Sequence, residues 1–328
     1  MANVVLTDHP WPDVDIERGI LAAAGYETIA GPIETSDAAY VESLVATHDP
    51  VAIMTCWARV SAAAIARPTA LKIVTRMGVG LDNIDVAAAT ARGAWVTNVP
   101  DYCVEEVSDH AITLMLAFWR GVHALDRDVK AGSWNPASAR LKRVSKQVIG
   151  IVGYGNIGRA TAHKLSRGFG CKVLVNSRSL LKQHANSHQL EHQVFVADIA
   201  TMQREADAIV LHAPLTEQTR HFAGAEFFAG LERKPLLINV SRGGLVDNDA
   251  LVSALGSGQL SGAGLDVVEG EPAPPRAITQ RSDIIVTPHV AFSSDAALAE
   301  LRQRSAEDVV RVLQGNAPRH PCNAPVMG

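Results

Sequence analysis

The chain has 328 residues, more than one hydrophobic core usually serves, so two domains are the natural reading. Hydrophobic residues make up 47% and charged residues 20%, which suits a folded soluble protein and excludes a disordered one. The net charge of −4 comes without a long basic run, so neither nucleic acid nor an anionic membrane is an expected partner.

From the N-terminus, "NVVLTD" reads as a strand, "DIERGILAAAG" as a helix closed by Gly25, and "PVAIMTC" as a second strand. "LKIVTRMG" and "AWVTNVP" continue the series, with the helical "IDVAAATARG" between them. Unbroken runs of Val, Ile and Leu suit parallel strands buried on both faces, hence a βαβ architecture. After Pro100 comes long helical material, "VEEVSDHAITLMLAFWRGVHALDRDVKAG", apolar through Ile112, Met115, Leu116 and Trp119, with Gly121 as a candidate break. A second alternating series runs from "QVIGIVGYG" through "CKVLVNS", "QVFVAD", "DAIVLHAP", "PLLINVS" and "SGAGLDV" to "DIIVTPH". The last helix opens at Ser293, Ser294 and Asp295 and stops at Gly315.

The apolar stretch "AITLMLAFW" falls far short of the roughly 20 residues that a bilayer span needs. "MANVVLTDHP" has no basic start and apolar core of a signal peptide, and a cytoplasmic location is expected. Cys56, Cys103, Cys171 and Cys322 are scattered, which suggests neither a disulfide framework nor a zinc site. Cys103 reads as a small buried residue. His184, His188 and His192 recur at i, i+4 and i+8, but no carboxylate or cysteine completes a set in that polar segment. A solvated helix face is the expectation there, and no metal.

"VGYGNIGRA" follows the strand "VIGIV" and precedes the helical "IGRATAHKLSRG". In that context Gly153 permits a tight turn, Gly155 the close approach of a pyrophosphate, and Gly158 close packing of helix on strand. The helix N-terminus then offers N–H groups and a positive dipole end to phosphate. Further on, "NVSRGG", "LDVVEGEP" and "TPHVAF" place Arg242, Glu271 and His289 at successive strand ends. Open α/β sheets bind ligands outside those ends. An arginine can grip a carboxylate through two parallel bonds, and a histidine can exchange a proton with a carbonyl oxygen. A carboxylate beside the imidazole fixes its tautomer and favours its charged form. These are the side chains that reduction of a 2-oxo acid needs.

Seven segments in order, "RMGVGLDNID", "NVPDYCVEEVSDHA", "GYGNIG", "HAPLT", "NVSRGGLVD", "LDVVEGEP" and "TPH", resemble the D-isomer-specific 2-hydroxyacid dehydrogenase family over essentially the whole chain. The resemblance implies two doubly wound parallel-sheet α/β domains, a Rossmann cofactor domain inserted in a flavodoxin-like substrate domain. The substrate domain would hold residues 1–98 and 290–328, the cofactor domain 99–289, with hinges near 99 and 290. The resemblance also implies that Val79 and Gly80 present N–H groups to the substrate carboxylate. Arg242 would bind substrate, Glu271 would pair with the imidazole, and His289 would be the acid–base. Glu269 competes for the glutamate role, but the family's carboxylate stands immediately before proline. Asn156, Ile157, His212 and Val240 would join the three glycines at the cofactor. Pro214 would line its cleft, and Asp266 would bond the nicotinamide carboxamide.

The formate dehydrogenase branch carries glutamine where Glu271 stands, which favours oxo-acid chemistry of the glyoxylate/hydroxypyruvate or phosphoglycerate dehydrogenase type. "VPDYCVEEVSDHA" and "TPHVAFSSDAA" are also similar to the C-terminal binding protein branch. That similarity supplies the alternative of a non-enzymatic, dinucleotide-sensing module. Trp57 and Arg59 follow a strand of the substrate domain, where a side chain faces either a cleft or, for Trp57, the core. A homodimer through the cofactor domain is implied, with the apolar helix around 110–119 as the candidate contact. In "VLVNSRS" no carboxylate stands where the family places aspartate. Ser177, Arg178 and Ser179, helped by Lys182, suit a 2′-phosphate, so NADP(H) is expected over NAD(H).

Overall fold

A computed structural model of the chain describes residues 1–32 and 37–325. The chain forms two compact units, Met1–Cys103 with Ser294–Gly328, and Val104–Ser293. The cuts fall a few residues beyond the crossings expected at 98 and 289.

The first unit begins with β1 (Ala2–Leu6), α1 (Asp15–Ala23), β2 (Tyr26–Ala30), α2 (Ala38–His48) and β3 (Ala52–Thr55). Then come α3 (Ala62–Ala66), β4 (Ile73–Arg76), α4 (Val86–Arg92) and β5 (Trp95–Thr97). The strands form one parallel sheet in the order β2-β1-β3-β4-β5. Val4, Val5, Leu6, Ile53, Met54, Ile73 and Val74 are buried, which is why these strands read as unbroken apolar runs. Side chains of Asp37, Ser61 and Asp85 cap α2, α3 and α4.

The second unit opens with α5 (Val104–Trp119) and α6 (Val122–Lys130), separated where Gly121 turns at φ 64. β6 (Val148–Val152), α7 (Asn156–His163), β7 (Lys172–Asn176), α8 (Arg178–Gln183), β8 (Gln189–Glu191), β9 (Val194–Val196) and α9 (Ile199–Glu205) follow. The series continues with β10 (Ala208–Leu211), α10 (Ala225–Ala229), β11 (Leu236–Asn239) and α11 (Asn248–Gly256). It ends with β12 (Gly262–Leu265), α12 (Arg276–Thr279) and β13 (Ile284–Val286). The sheet order is β13-β12-β11-β10-β6-β7-β9-β8, parallel except for β8 against β9. Winding runs outward from β6 to β9, then restarts at β10 on the other side of β6. The carboxyl ends of β6 and β10 therefore flank a switch point, where such sheets bind ligands.

Ala111, Ile112, Leu114, Met115 and Trp119 of α5 are buried within this unit. A Cβ at Gly264 would lie 3.0 Å from Leu114 Cβ, and one at Gly262 would lie 2.9 Å from the Phe118 ring. The apolar face of residues 110–119 is thus consumed by the unit's own sheet rather than left for a second subunit. The three histidines share no helix face, because α8 ends at Gln183. His184 and His188 instead stack with centroids 4.5 Å apart. No group of three His, Cys, Asp or Glu side chains among the described residues is placed to hold a metal ion. No described helix is long and apolar enough to cross a membrane.

α13 (Asp295–Leu313) returns the chain to the first unit, capped by Ser294. Beyond it, Pro321 bridges Thr97 and the Asn323 side chain accepts from Val96 N at 2.7 Å, extending the edge of that sheet. Arg302 of α13 donates to both oxygens of the fully buried Glu17 of α1, each at 2.9 Å, and also to Asp13. Both buried charges are thereby satisfied by a two-pronged pairing.

Candidate active site

The glycine-rich loop leaves β6 at the switch point. Gly153 adopts φ 99, donates its N–H to Asn176 O at 2.8 Å, and has no room for a side chain against the His212 backbone. A Cβ at Gly158 would run into the Gly153 carbonyl oxygen. Gly155 is different: it caps α7 without a side chain, and nothing lies within 4 Å of where its Cβ would stand. The N–H groups at the start of α7, where Asn156 is exposed and Ile157 half-buried, lie beside this open position, the kind of helix start that can receive an anion. Tyr154 points elsewhere, donating to Glu191 Oε1 at 3.3 Å, and burial followed by that carboxylate pushes its phenol up to about 12.

His212, at the end of β10, bonds Thr161 Oγ1 through Nε2 at 2.9 Å. Its Nδ1 is shielded from solvent without a protein partner, although the ring keeps some exposed surface. Burial holds its pKa down to about 3, so the ring is neutral at ordinary pH. Pro214 is exposed just beyond, and Val240 is buried after β11. At the end of β7, Ser177 caps α8 by accepting from Leu180 N and bonds Ser179 Oγ at 2.9 Å. Arg178 and Lys182 are exposed there.

Arg242, Glu271 and His289 lie at the carboxyl ends of β11, β12 and β13. Arg242 is held by Asn239, which accepts from Ser241 N and donates to Arg242 O, while its guanidinium bonds Ser241 O at 2.7 Å. His289 Nδ1 lies 2.9 Å from Glu271 Oε1, with the imidazole side chain 22% exposed, so the pair is open to small molecules. Phe292 meets the imidazole edge-on at 6.4 Å.

His289 takes a left-handed backbone conformation, φ 54, and Asp266 holds it there. Asp266 O accepts from His289 N at 2.8 Å. Asp266 Oδ1 accepts from Thr287 Oγ1 and Val290 N, and Oδ2 accepts from Ala291 N. His110 of α5 reaches the same Thr287 hydroxyl at 2.9 Å. Asp266 is 1% exposed, and its carboxylate anchors the turn that presents the imidazole. Glu269, the competing glutamate, binds Arg220 and His221 instead, at 2.6 and 2.7 Å.

In the first unit, Val79 and Gly80 follow β4, with Val79 O accepting from Asn98 Nδ2 at 2.6 Å. Trp57 is half-buried, with the Arg76 guanidinium 5.3 Å from its ring centroid, and Arg59 is exposed. Buried Asp8 accepts from the backbone N–H groups of Cys56, Trp57 and Ala58 and so fixes that loop.

The family model described as "D-isomer specific 2-hydroxyacid dehydrogenase, NAD binding domain" matches residues 112–291. The chain belongs to the D-isomer-specific 2-hydroxyacid dehydrogenase family. It is 36% identical over 262 residues to a glyoxylate reductase of Korarchaeum cryptofilum, covering 78% of this chain and 77% of that one. It is 34% identical over 255 residues to a D-3-phosphoglycerate dehydrogenase of Methanocaldococcus jannaschii, covering 78% of this chain but 48% of that one. Among solved structures, the TT0316 protein from Thermus thermophilus superposes with a TM-score of 0.87 at 28% identity, covering 98% and 100% of the two chains.

Two features of this dehydrogenase were beyond sequence reasoning: the anchoring of His289 by Asp266, Thr287 and His110, and the pairing of Glu269 with Arg220 and His221. His110 stands in "VSDHA", one of the family-like segments, but nothing in that stretch shows what the ring reaches. The glycine contacts yield a direct test. Gly158→Ala should force the α7 turn away from Gly153, an overpacking cost of about 1–3 kcal/mol, and weaken dinucleotide binding about tenfold or more. Fluorescence titration with the reduced dinucleotide measures this, and unchanged affinity would show that the turn adjusts freely.

Proposed function

We propose that the protein reduces a small 2-oxo acid of the glyoxylate/hydroxypyruvate type to the D-2-hydroxy acid, with NADPH as the preferred reductant. The 2.9 Å contact between His289 Nδ1 and Glu271 Oε1 carries this reading, because it fixes one imidazole nitrogen and assigns proton transfer to the other. Arg242 grips the substrate carboxylate and draws electron density from the adjacent carbonyl. A reduced nicotinamide, when bound, would supply the hydride that the carbonyl carbon accepts. His289 gives its Nε2 proton to the carbonyl oxygen as that charge develops, and Glu271 stabilises the imidazolium before the transfer. In the reverse direction the neutral imidazole takes the hydroxyl proton back. The roles of Val79 and Gly80 as carboxylate donors rest on the sequence resemblance. The name of the Korarchaeum relative supports glyoxylate as the first substrate to try.

His289→Ala should lower turnover by at least about 100-fold while leaving dinucleotide binding nearly intact. A steady-state screen of 2-oxo acids with both reduced nicotinamides makes the comparison. Absence of turnover by the wild type on every acid, or a mutant that keeps most of it, would overturn the reading.

For the cofactor, the absence of a carboxylate from Asn176 to Ser179 removes both the bond to a ribose 2′-hydroxyl and the repulsion of a 2′-phosphate. The exposed Arg178 and Lys182 supply the positive charge. NADPH should exceed NADH in kcat/KM, with most of that preference lost in Arg178→Ala; equal efficiencies in the wild type would refute it.

A homodimer is proposed through α6 and the segment that follows it, rather than through α5. α6 buries none of its residues in its own unit, and Val122, Val129, Trp134 and Leu141 are exposed, Trp134 by 84%. Sedimentation should give a dimer that Val129→Asp with Trp134→Ser dissociates; a monomeric wild type would refute this surface.

A further inference from the structure

We propose that Glu269 is a positioning residue that uses His221 and Arg220 to lock the loop of Glu271 against the loop of Arg242, an inference that rests on the oxo-acid reading above. Three loops meet at this glutamate. Oε1 accepts from Arg220 at 2.6 Å and Oε2 meets His221 Nε2 at 2.7 Å, tying in the segment between β10 and α10. His221 N donates to Gly244 O at 2.8 Å, two residues beyond Arg242. The Glu269 carbonyl accepts from Asn248 Nδ2 at 3.0 Å, and a Cβ at Gly243 would collide with the Val268–Glu269 peptide. Glu269 thus holds the His221 segment through its side chain and the start of α11 through its carbonyl, and it meets the Arg242 loop where its peptide packs on Gly243.

The link to the chemistry runs through Gly270. This glycine adopts φ 98 in a turn where Glu271 N donates to Val268 O at 3.2 Å and Ala273 N to Gly270 O at 3.0 Å, so Glu271 leaves a turn that starts at Val268 and Glu269. A carboxylate bonded by both Arg220 and His221 fixes that start. The His221 hydrogen bond first, and Arg220 with it, hold the Glu269 carboxyl below its ordinary 4.5. The charged groups facing His221 are Glu269, Asp247, whose Oδ2 lies 3.7 Å from Nδ1, and Arg220 across the shared carboxylate. Because the carboxyl is shifted downward, the clamp is whole above pH 4.5 and is lost as pH falls through the lowered value.

Two variants separate positioning from simple support. Glu269→Ala removes both acceptors and should lower kcat by about 10- to 100-fold above pH 4.5, the scale of a misaligned catalytic group, with NADPH binding retained. Glu269→Gln can offer its oxygen to Arg220 and its N–H to a neutral His221. It should keep most of the turnover that Glu269→Ala loses. In protein carrying 15N-labelled histidine, the His289 Nδ1 resonance should move in Glu269→Ala towards its position in Glu271→Gln. That signal needs no turnover, so it decides the positioning even if the wild type reduces no 2-oxo acid. An unmoved Nδ1 resonance in Glu269→Ala overturns the proposal, and so does a Glu269→Gln profile that matches Glu271→Gln at all pH values.

Discussion

The site depends on one buried carboxylate. A histidine at φ 54 is in a region that costs a non-glycine residue about 1–3 kcal/mol unless the surroundings dictate it. Asp266 dictates it, with its carbonyl on His289 N and its two oxygens on Thr287, Val290 and Ala291. Four donors on one residue set the path of the chain from 287 to 291. The imidazole that leaves this path reaches Glu271, and the 2.9 Å pairing of the two follows from the turn. Asp266 is itself the residue after β12, so the sheet's register carries through to the position of the proton.

The same logic of close backbone approach governs the rest of the second unit. Gly153 and Gly158 let the loop after β6 fold against the ends of β7 and β10, and Gly243 lets the Arg242 loop lie on the peptide before Glu269. A methyl group at any of the three meets backbone rather than a movable side chain. Each holds apart or together two loops at the switch point, where strand order reverses and ligand room opens. Gly155 shows the complementary case, a glycine at the start of α7 with nothing within 4 Å of where its Cβ would stand.

The sequence was informative wherever a local pattern has one physical solution. Unbroken apolar runs became buried parallel strands, and Gly25, Gly121 and Gly315 all turn at positive φ where helices stop. Gly-x-Gly-x-x-Gly after a strand could be read because steric demand selects the residue. Short polar segments were less legible: β8 pairs antiparallel at the edge through three residues, Gln189–Glu191, with no periodicity to announce it. The histidine spacing suggested a helix face, but α8 gives out at Gln183 before the series begins. The apolar stripe of α5 was visible, yet only packing shows that the glycines of β12 receive it. Partners across the fold, such as His110 on Thr287, have no local signature at all.

Glu269 and Glu271 show how far environment outweighs residue type. They stand two apart in "VVEGEP", identical in chemistry, with a glycine between them. One faces Arg220 and His221 and is pulled down in pKa by them, which makes it a fixed counter-ion. The other faces His289, with Val268 N at 3.5 Å from its second oxygen, which leaves it to respond to the charge on the imidazole. Two carboxylates whose surroundings differ take separate roles, as acid and base groups do in other sites. The glycine lets the pair diverge in direction, and Arg220 and His221 on Glu269 mark where the divergence begins. The turn at Gly270, closed by Glu271 N on Val268 O at 3.2 Å, sends the two carboxylates to different partners.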